Sequence, residues 1–152
     1  MSQTRKRLSV KLHHSEALKF DVDVDGRRLE LNSSDTMGQA FTPMELFLVA
    51  LAGCTAMDVQ WIMDSQRQKM EKFNLSISGV RRPEDPMYYE SVDIRYSFVG
   101  PNIRRDAVER AIRLSQEKYC SVRAMMKDIV RLNTTYTISN GAEPEAVYNY
   151  GT

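Results

Sequence analysis

The chain has 152 residues, of which 42% are hydrophobic and 27% are charged, and its formal net charge is +1 at pH 7. These values are typical of a soluble globular protein and exclude the strongly charged classes that bind nucleic acids or membrane surfaces. After a basic patch the first residues alternate between polar and apolar, unlike the continuous apolar core of a signal peptide. The longest uninterrupted apolar run, Leu46 to Ala52, is much shorter than the ~20 residues of a membrane-spanning helix. We therefore predict a single cytoplasmic domain over residues 1–152.

Three short strands are predicted first. Apolar residues alternate with polar ones from Leu8 to Leu12, from Leu18 to Val24 and from Leu29 to Leu31, and a turn is expected at Asp25-Gly26. A period of two residues is typical of an antiparallel meander that buries one face.

A long helix is predicted to begin at Thr42. Thr42, Pro43 and Glu45 have the spacing of a helix start, with threonine as the N-cap, proline at the first position and glutamate closing a capping box. The helix is predicted to continue to about Lys69 or Met70, and its first half is apolar almost all round. Such a half has to be covered on every side, so we expect it to contact both a core and a second subunit.

The rest of the chain predicts a hairpin, two helices and a last strand. Together with the meander, this order predicts an α+β fold in which an antiparallel sheet surrounds the long helix. The predicted elements are hairpin strands near residues 73–77 and 92–98, an amphipathic helix over 108–118, a short helix over 121–127, a strand over 129–138 and a loose tail over about 140–152.

The two cysteines lie on helices that are far apart in sequence. Cys54 is inside the long helix, and Cys120, about 66 positions later, precedes the short helix. Neither a CxxC pair nor a Cys/His cluster is present, so the spacing gives no reason to expect a metal site. In a reducing compartment such thiols are either inert or redox-active. A free cysteine in an apolar helix is most often a small buried side chain, and this alternative stays open.

Two motifs carry a resemblance to a known family. They are TPMELFLVALAGCTAMDV around Cys54 and AVERAIRLSQEKYCSVRAM around Cys120. With the order of elements, which covers nearly the whole chain, they resemble the OsmC/Ohr family, and their wording is most similar to its YhfA-like branch. The resemblance implies an intertwined homodimer with its sites at the subunit interface.

For the active branches, the resemblance implies a cysteine-based peroxidase that reduces organic hydroperoxides. It makes Cys54 the attacking residue, which becomes a sulfenic acid, and Cys120 the resolving residue, which condenses with it to a disulfide. The implied reductant is an external thiol, and no cofactor or metal is expected.

The surroundings of Cys54 depart from the pattern of the active members. Those members have a glutamate ten positions before the attacking cysteine, where this chain has Met44, with Glu45 one position later. At about 100° per residue, nine steps place Glu45 on nearly the opposite helix face from Cys54. Capping accounts for Glu45, which is kept as a third catalytic candidate.

Active members also have an arginine in the first hairpin, where this chain has His13 and His14. Adjacent histidines in a polar turn are expected to be solvent-exposed. Arg27 and Arg28, in the following turn, are the nearest replacements and are also expected to be exposed, so the sequence assigns no arginine to the site.

Local electrostatics favours the second cysteine as the more acidic thiol. Asp58, one helical turn after Cys54, would oppose a thiolate there. Cys120 precedes a helix start and has Lys118 and Arg123 nearby, which would stabilise an anion.

A second function is compatible with the same features: a non-catalytic dimeric protein that binds a small apolar or acidic molecule, with both cysteines inert.

Overall fold

The computed structural model describes residues 7–33, 38, 40–142 and 146–151. The chain divides into two compact units, with the boundary between Phe47 and Leu48; that both belong to one domain stays a prediction. The elements in chain order are β1 (Lys11–Glu16), β2 (Lys19–Val24), β3 (Arg27–Asn32), α1 (Pro43–Ser65), β4 (Lys72–Arg81), β5 (Tyr89–Val99), α2 (Arg105–Leu114), a π-helical turn (Ser115–Tyr119), α3 (Ser121–Met126), β6 (Arg131–Ser139) and β7 (Ala146–Tyr150).

The first unit contains the predicted meander. β1 pairs antiparallel with β2, and β2 with β3. Asp25 and Gly26 both have positive φ, 52° and 81°, as expected for the two central residues of a tight hairpin turn. The predicted buried face is present in part: Val22 is buried and Phe20, Val24, Leu29 and Leu31 are half-buried, whereas Leu12 on β1 is 51% exposed. An alternating pattern shows which side chains share a face, but burial also requires a second layer.

The second unit contains a four-stranded sheet in the order β4-β5-β6-β7. β4 and β5 pair antiparallel, as predicted for the hairpin; β6 and β7 also pair antiparallel, but β5 and β6 run parallel. A parallel pair requires a long crossover connection, which α2, the π-helical turn and α3 supply. The mixed α+β class predicted from the sequence is confirmed.

The predicted loose tail is wrong over Ala146–Tyr150, which form β7 against β6. The Tyr148 ring stacks on that of Tyr136 with centroids 5.0 Å apart, and the Arg105 guanidinium lies 4.5 Å from the Tyr148 ring centroid. These contacts add side-chain packing to the strand pairing.

The long helix ends at Ser65, four or five residues before the predicted end. The N–H of Gln68 donates to the carbonyl of Met63, and that of Arg67 to the carbonyl of Asp64. Arg67 has a φ of 57°, so the helix stops in the left-handed cap that glycine usually provides.

α1 buries one face in the second unit and leaves another exposed. Its buried residues lie with those of α2 on the sheet, and Thr55 Oγ1 is 2.6 Å from the buried hydroxyl of Tyr96 on β5. Met57 and Trp61 are 75% and 60% exposed. By length and composition alone α1 could cross a membrane, with a mean hydropathy of 1.7 over its most apolar window, of which 28% is buried. Apolar residues beyond those that the core covers are also typical of a helix at a subunit interface.

Candidate functional site

The fold brings three reactive side chains together in the second unit. Cys54 and Asp58 lie one turn apart on α1, and Cys120 immediately precedes α3. The two sulfurs and one carboxylate oxygen of Asp58 all lie within 4.8 Å of one another. Both cysteines are free thiols, with Cys120 buried and Cys54 half-buried.

The π-helical turn before α3 sets the position of Cys120. The N–H of Cys120 donates to the carbonyl of Ser115 at 2.8 Å, five residues back, where an α-helix would reach four. Cys120 itself is extended, and its sulfur accepts the N–H of Arg123 at 3.4 Å, so it caps α3. The sequence predicts an ordinary helix to Lys118, because a π-helical turn has no residue pattern of its own. Such turns are frequent at functional sites.

A chain of buried hydroxyl groups leads from the sheet to Asp58. Ser115 Oγ donates to Asp58 Oδ2 at 3.0 Å and lies 3.0 Å from Thr55 Oγ1, which is bonded in turn to Tyr96. A hydroxyl has one proton. Because Ser115 gives its proton to Asp58, it accepts from Thr55, which in turn accepts from Tyr96. All donors therefore point towards the carboxylate of Asp58.

Burial is the largest influence on the pKa values of Cys120 and Asp58, which form one cluster with Cys54. It raises the pKa of the Cys120 thiol to about 11; the Arg123 N–H opposes this effect, while Cys54 and Asp58 add to it. The expectation that the helix start keeps the Cys120 thiolate stable is therefore wrong, because the loss of hydration outweighs one backbone hydrogen bond. Burial also raises the pKa of Asp58, against the hydrogen bond from Ser115. The expectation that Asp58 faces Cys54 is confirmed.

Glu45, the third catalytic candidate, is engaged in the predicted capping box. The Thr42 N–H donates to Glu45 Oε2 at 2.7 Å, and the Glu45 N–H donates to Thr42 Oγ1 at 3.3 Å. The capping interpretation of these two residues is confirmed. A catalytic role for Glu45 stays a prediction.

The histidines and arginines considered from the sequence are exposed, as expected. His13 and His14 lie on β1, and His14 Nε2 is 3.0 Å from the carbonyl of Ala17. Arg27 Nε donates to the carbonyl of Val24, and Arg28 lies 3.9 Å from Asp23. The hydrogen bonds and ion pairs described for these four residues are all local to the first unit.

A basic hollow of about 350 Å³ reaches Cys120 from the surface. Arg123 Nη1 is buried and has no hydrogen-bond partner among the described residues. A buried guanidinium nitrogen without an acceptor favours an anion as occupant. The hollow is lined by Gln116, Glu117, Lys118, Cys120, Arg123, Ala124 and Lys127.

Comparison with known proteins agrees with this arrangement of elements. The family model for OsmC-like proteins matches residues 36–135. Protein YhfA of Escherichia coli (strain K12) is 35% identical over 107 residues, which are 70% of this chain and 78% of YhfA.

Two solved structures of similar fold extend the comparison. A hypothetical protein from Aquifex aeolicus VF5 superposes with a TM-score of 0.79 at 30% identity, covering 88% of this chain and 97% of that one. An organic hydroperoxide resistance protein OsmC from Legionella pneumophila gives a TM-score of 0.69 at 14% identity, covering 90% and 99%; this likeness concerns the fold alone. On the family match and the identity with YhfA, the chain belongs to the OsmC-like family, in its YhfA-like branch.

Proposed function

We propose that this protein is a thiol-dependent peroxidase that reduces organic hydroperoxides with Cys54 and Cys120 at the interface of a homodimer. The observation that carries the proposal is the separation of the two free sulfurs, which is within 4.8 Å although they come from different helices. A disulfide bond requires the two sulfurs to approach further, to ~2.05 Å. Membership of the OsmC-like family supports the same chemistry.

The reaction consumes one peroxide and two thiols. The Cys54 thiolate attacks the outer oxygen of the hydroperoxide, the O–O bond breaks, and the alcohol leaves after it gains a proton. The Cys120 sulfur then attacks the sulfur of the Cys54 sulfenic acid, an S–S bond forms, and the hydroxyl leaves as water. Two equivalents of an external thiol reduce the disulfide and return both cysteines.

The environments of the two sulfurs support this division of roles. With its pKa at about 11, Cys120 is protonated at neutral pH, which suits the residue that acts second. Cys54 is the more exposed sulfur and the one that a peroxide reaches. Asp58, within 4.8 Å of Cys54, accepts the thiol proton and returns it to the departing alkoxide.

The surface around Cys54 supports an apolar substrate and a second subunit. Along α1, Cys54 is followed by buried Thr55 and preceded by half-buried Gly53, which lies one turn before exposed Met57. Covering this surface with another copy would enclose Cys54 in an apolar pocket, which suits a fatty or aryl hydroperoxide. The reductant is the thiol pool of the cytoplasm, where we place the protein.

The proposal is tested by peptide mass mapping after treatment of reduced, metal-free protein with cumene hydroperoxide. Wild-type protein is expected to form a Cys54–Cys120 disulfide, while Cys120→Ser stops at a sulfenic acid on Cys54 and Cys54→Ser remains unoxidised. We expect a slower reaction than in family members that have both the glutamate and the arginine. This chain has Met44 in the glutamate position and no arginine in its first hairpin. Unmodified thiols after prolonged exposure would contradict the proposal.

A second candidate function is a dimeric protein that binds a small acidic molecule with inert cysteines. The basic hollow and the raised pKa of Cys120 favour this alternative. Thiol titration distinguishes the two: in a peroxidase, one equivalent of peroxide removes both thiols together. If both thiols persist while a carboxylate ligand protects Lys127 from acetylation, the binding function is supported.

A further inference from the structure

We propose that Cys54, Asp58 and Cys120 of the reduced protein form a binding site for a soft divalent cation such as Zn²⁺, with one coordination position left open. The spacing of these residues in the sequence gave no indication of a metal site, because the third ligand comes from a different part of the chain. Their approach in the fold is the new observation.

The arrangement of the three side chains suits tetrahedral zinc. Cys54 and Asp58 are four residues apart on one face of α1, the spacing that helical zinc ligands use in other proteins. The three ligand atoms lie within 4.8 Å of one another. Zinc bonds of ~2.3 Å to sulfur and ~2.1 Å to oxygen require ligand atoms about 3.6–3.8 Å apart, so small side-chain rotations complete the geometry.

Neighbouring groups form hydrogen bonds with two of the three ligands. Ser115 Oγ donates to Asp58 Oδ2, and this hydrogen bond orients the carboxylate. The N–H of Arg123 donates to the Cys120 sulfur, which stabilises a thiolate. Hydrogen bonds of this kind to ligating carboxylates and thiolates orient them and tune the metal.

The charges of the cluster favour a cation. Ionised, the three groups carry three negative charges in a partly buried space, and in the part of the chain that the structure describes no lysine or arginine forms an ion pair with Asp58. A divalent cation replaces this repulsion by attraction and favours deprotonation of the thiols. Cys54 and Asp58 are only half-buried, so a water molecule can reach the fourth position.

Metal binding and disulfide formation exclude each other, because both use the same two sulfurs. This consequence rests on the proposed function. When one peroxide oxidises the two bound thiolates, it takes up two electrons and two protons and leaves as an alcohol and water, and the cation is released from the disulfide. The site would then hold zinc only in the reduced protein.

The test is a titration of reduced, full-length, chelator-treated protein with Co²⁺ and then with Zn²⁺. One Co²⁺ per chain is expected, with a thiolate-to-cobalt absorption band that Zn²⁺ abolishes. Asp58→Asn should weaken binding about tenfold or more, since the loss of a residue that only hydrogen-bonds to a metal ligand already costs that much. The control, Asp64→Asn, removes an exposed carboxylate of the same helix and should bind as wild type does.

Cys54→Ser and Cys120→Ser each remove one of the two thiolates, so each should bind Co²⁺ more weakly and give a weaker thiolate band, with retained circular dichroism as the check on folding. No thiolate band in wild-type protein, or unchanged Co²⁺ affinity in Asp58→Asn, would overturn the proposal. The peroxide experiment uses metal-free protein and the titration uses no peroxide, so each fails independently of the other.

Discussion

The Cys120 thiol is subject to two opposing influences. The N–H of Arg123 stabilises its thiolate through a hydrogen bond, whereas burial disfavours any charge. Burial is the larger effect and raises the pKa to about 11, so the sulfur is a neutral thiol at pH 7 unless a cation or a reaction partner removes its proton. A position before a helix therefore does not by itself make a cysteine acidic.

At Thr42, we predict that replacement by alanine destabilises the fold by about 1 kcal/mol, because the Oγ1 that accepts the Glu45 N–H is lost. The urea midpoint should fall in Thr42→Ala and be retained in Thr42→Ser, which keeps the hydroxyl. Equal midpoints for Thr42→Ala and the wild type would show that the capping box adds nothing to stability.

Among the elements, the crossover between β5 and β6 brings Ser115 and Cys120 to the site, and α1 supplies Cys54 and Asp58. α2 lies on the sheet through buried Val108 and Ile112, and the π-helical turn that follows shifts the direction of the chain before α3. This shift allows Ser115 to bond with Asp58 while Cys120 faces Cys54. The same crossover therefore connects the parallel strands and places Ser115 and Cys120 next to Asp58 and Cys54.

A second set of contacts connects α2 to the end of the sheet. Tyr136 donates to Glu109 Oε1, and Arg105 Nε lies 3.0 Å from the same oxygen and donates to the Tyr136 hydroxyl at 3.1 Å. The hydrogen bonds that the Glu109 carboxylate accepts lower its pKa. The bond from Tyr136 has the larger effect and the bond from Arg105 the smaller. The ionised carboxylate thus stabilises the contact of α2 with β6.

For this contact we predict a pH-dependent loss of stability. Because the pKa of Glu109 is lowered in the folded state, its carboxylate stabilises the fold above the ordinary glutamate pKa of about 4.3. This stabilisation is lost as the pH falls through the pKa that Glu109 has in the folded state. Glu109→Gln should therefore lower the urea midpoint at pH 7 and approach the wild-type midpoint at pH 3.

The control for this prediction is Glu117→Gln, which removes an exposed carboxylate 4.0 Å from Arg113. Exposed ion pairs of this kind contribute little, so its midpoint should stay close to that of the wild type at pH 7. A deficit of Glu109→Gln that is the same at both pH values would show that the ionised form is not the stabilising one.

On the scale of the whole molecule, the single chain leaves much apolar surface uncovered. On α1, Val49, Gly53, Met57 and Trp61 follow each other at intervals of four residues along one row, in which Gly53 is half-buried and the other three are exposed. Exposed apolar rows of this kind mark surfaces that another molecule covers. The family resemblance predicts that the covering molecule is a second copy of the chain.

We therefore predict an obligate homodimer that uses this row. A β-carbon at Gly53 meets no atom within 4 Å in the single chain, so Gly53→Ala should stabilise a monomer by about 1 kcal/mol through helix propensity. In a dimer whose helices approach closely at Gly53, the larger Gly53→Leu should instead weaken association.

Sedimentation at micromolar concentration measures the outcome. Wild-type protein and the control Asn102→Leu, which adds an equal side chain at an exposed turn, should remain dimeric, while Gly53→Leu shifts towards the monomer. A folded wild-type monomer, or a fully dimeric Gly53→Leu, would argue against this interface.

The sequence alone determined the parts of this protein that depend on local patterns. The meander with its turn at Asp25-Gly26, the start of α1 at its capping box and the α+β class all follow from period, caps and turn residues. The motifs around Cys54 and Cys120 also sufficed to identify the family. These signals are local because each depends on residues a few positions apart.

The remaining features of the fold and of the site depend on the tertiary structure. Three features depend on residues that are distant in sequence. They are the approach of Cys54, Asp58 and Cys120, the raised pKa of buried Cys120, and the strand pairing of Ala146–Tyr150. Hydration, pairing and ligand geometry depend on which atoms are close in space, and the fold sets those distances. The sequence therefore identified both cysteines, but only the fold showed that they and a carboxylate form one cluster.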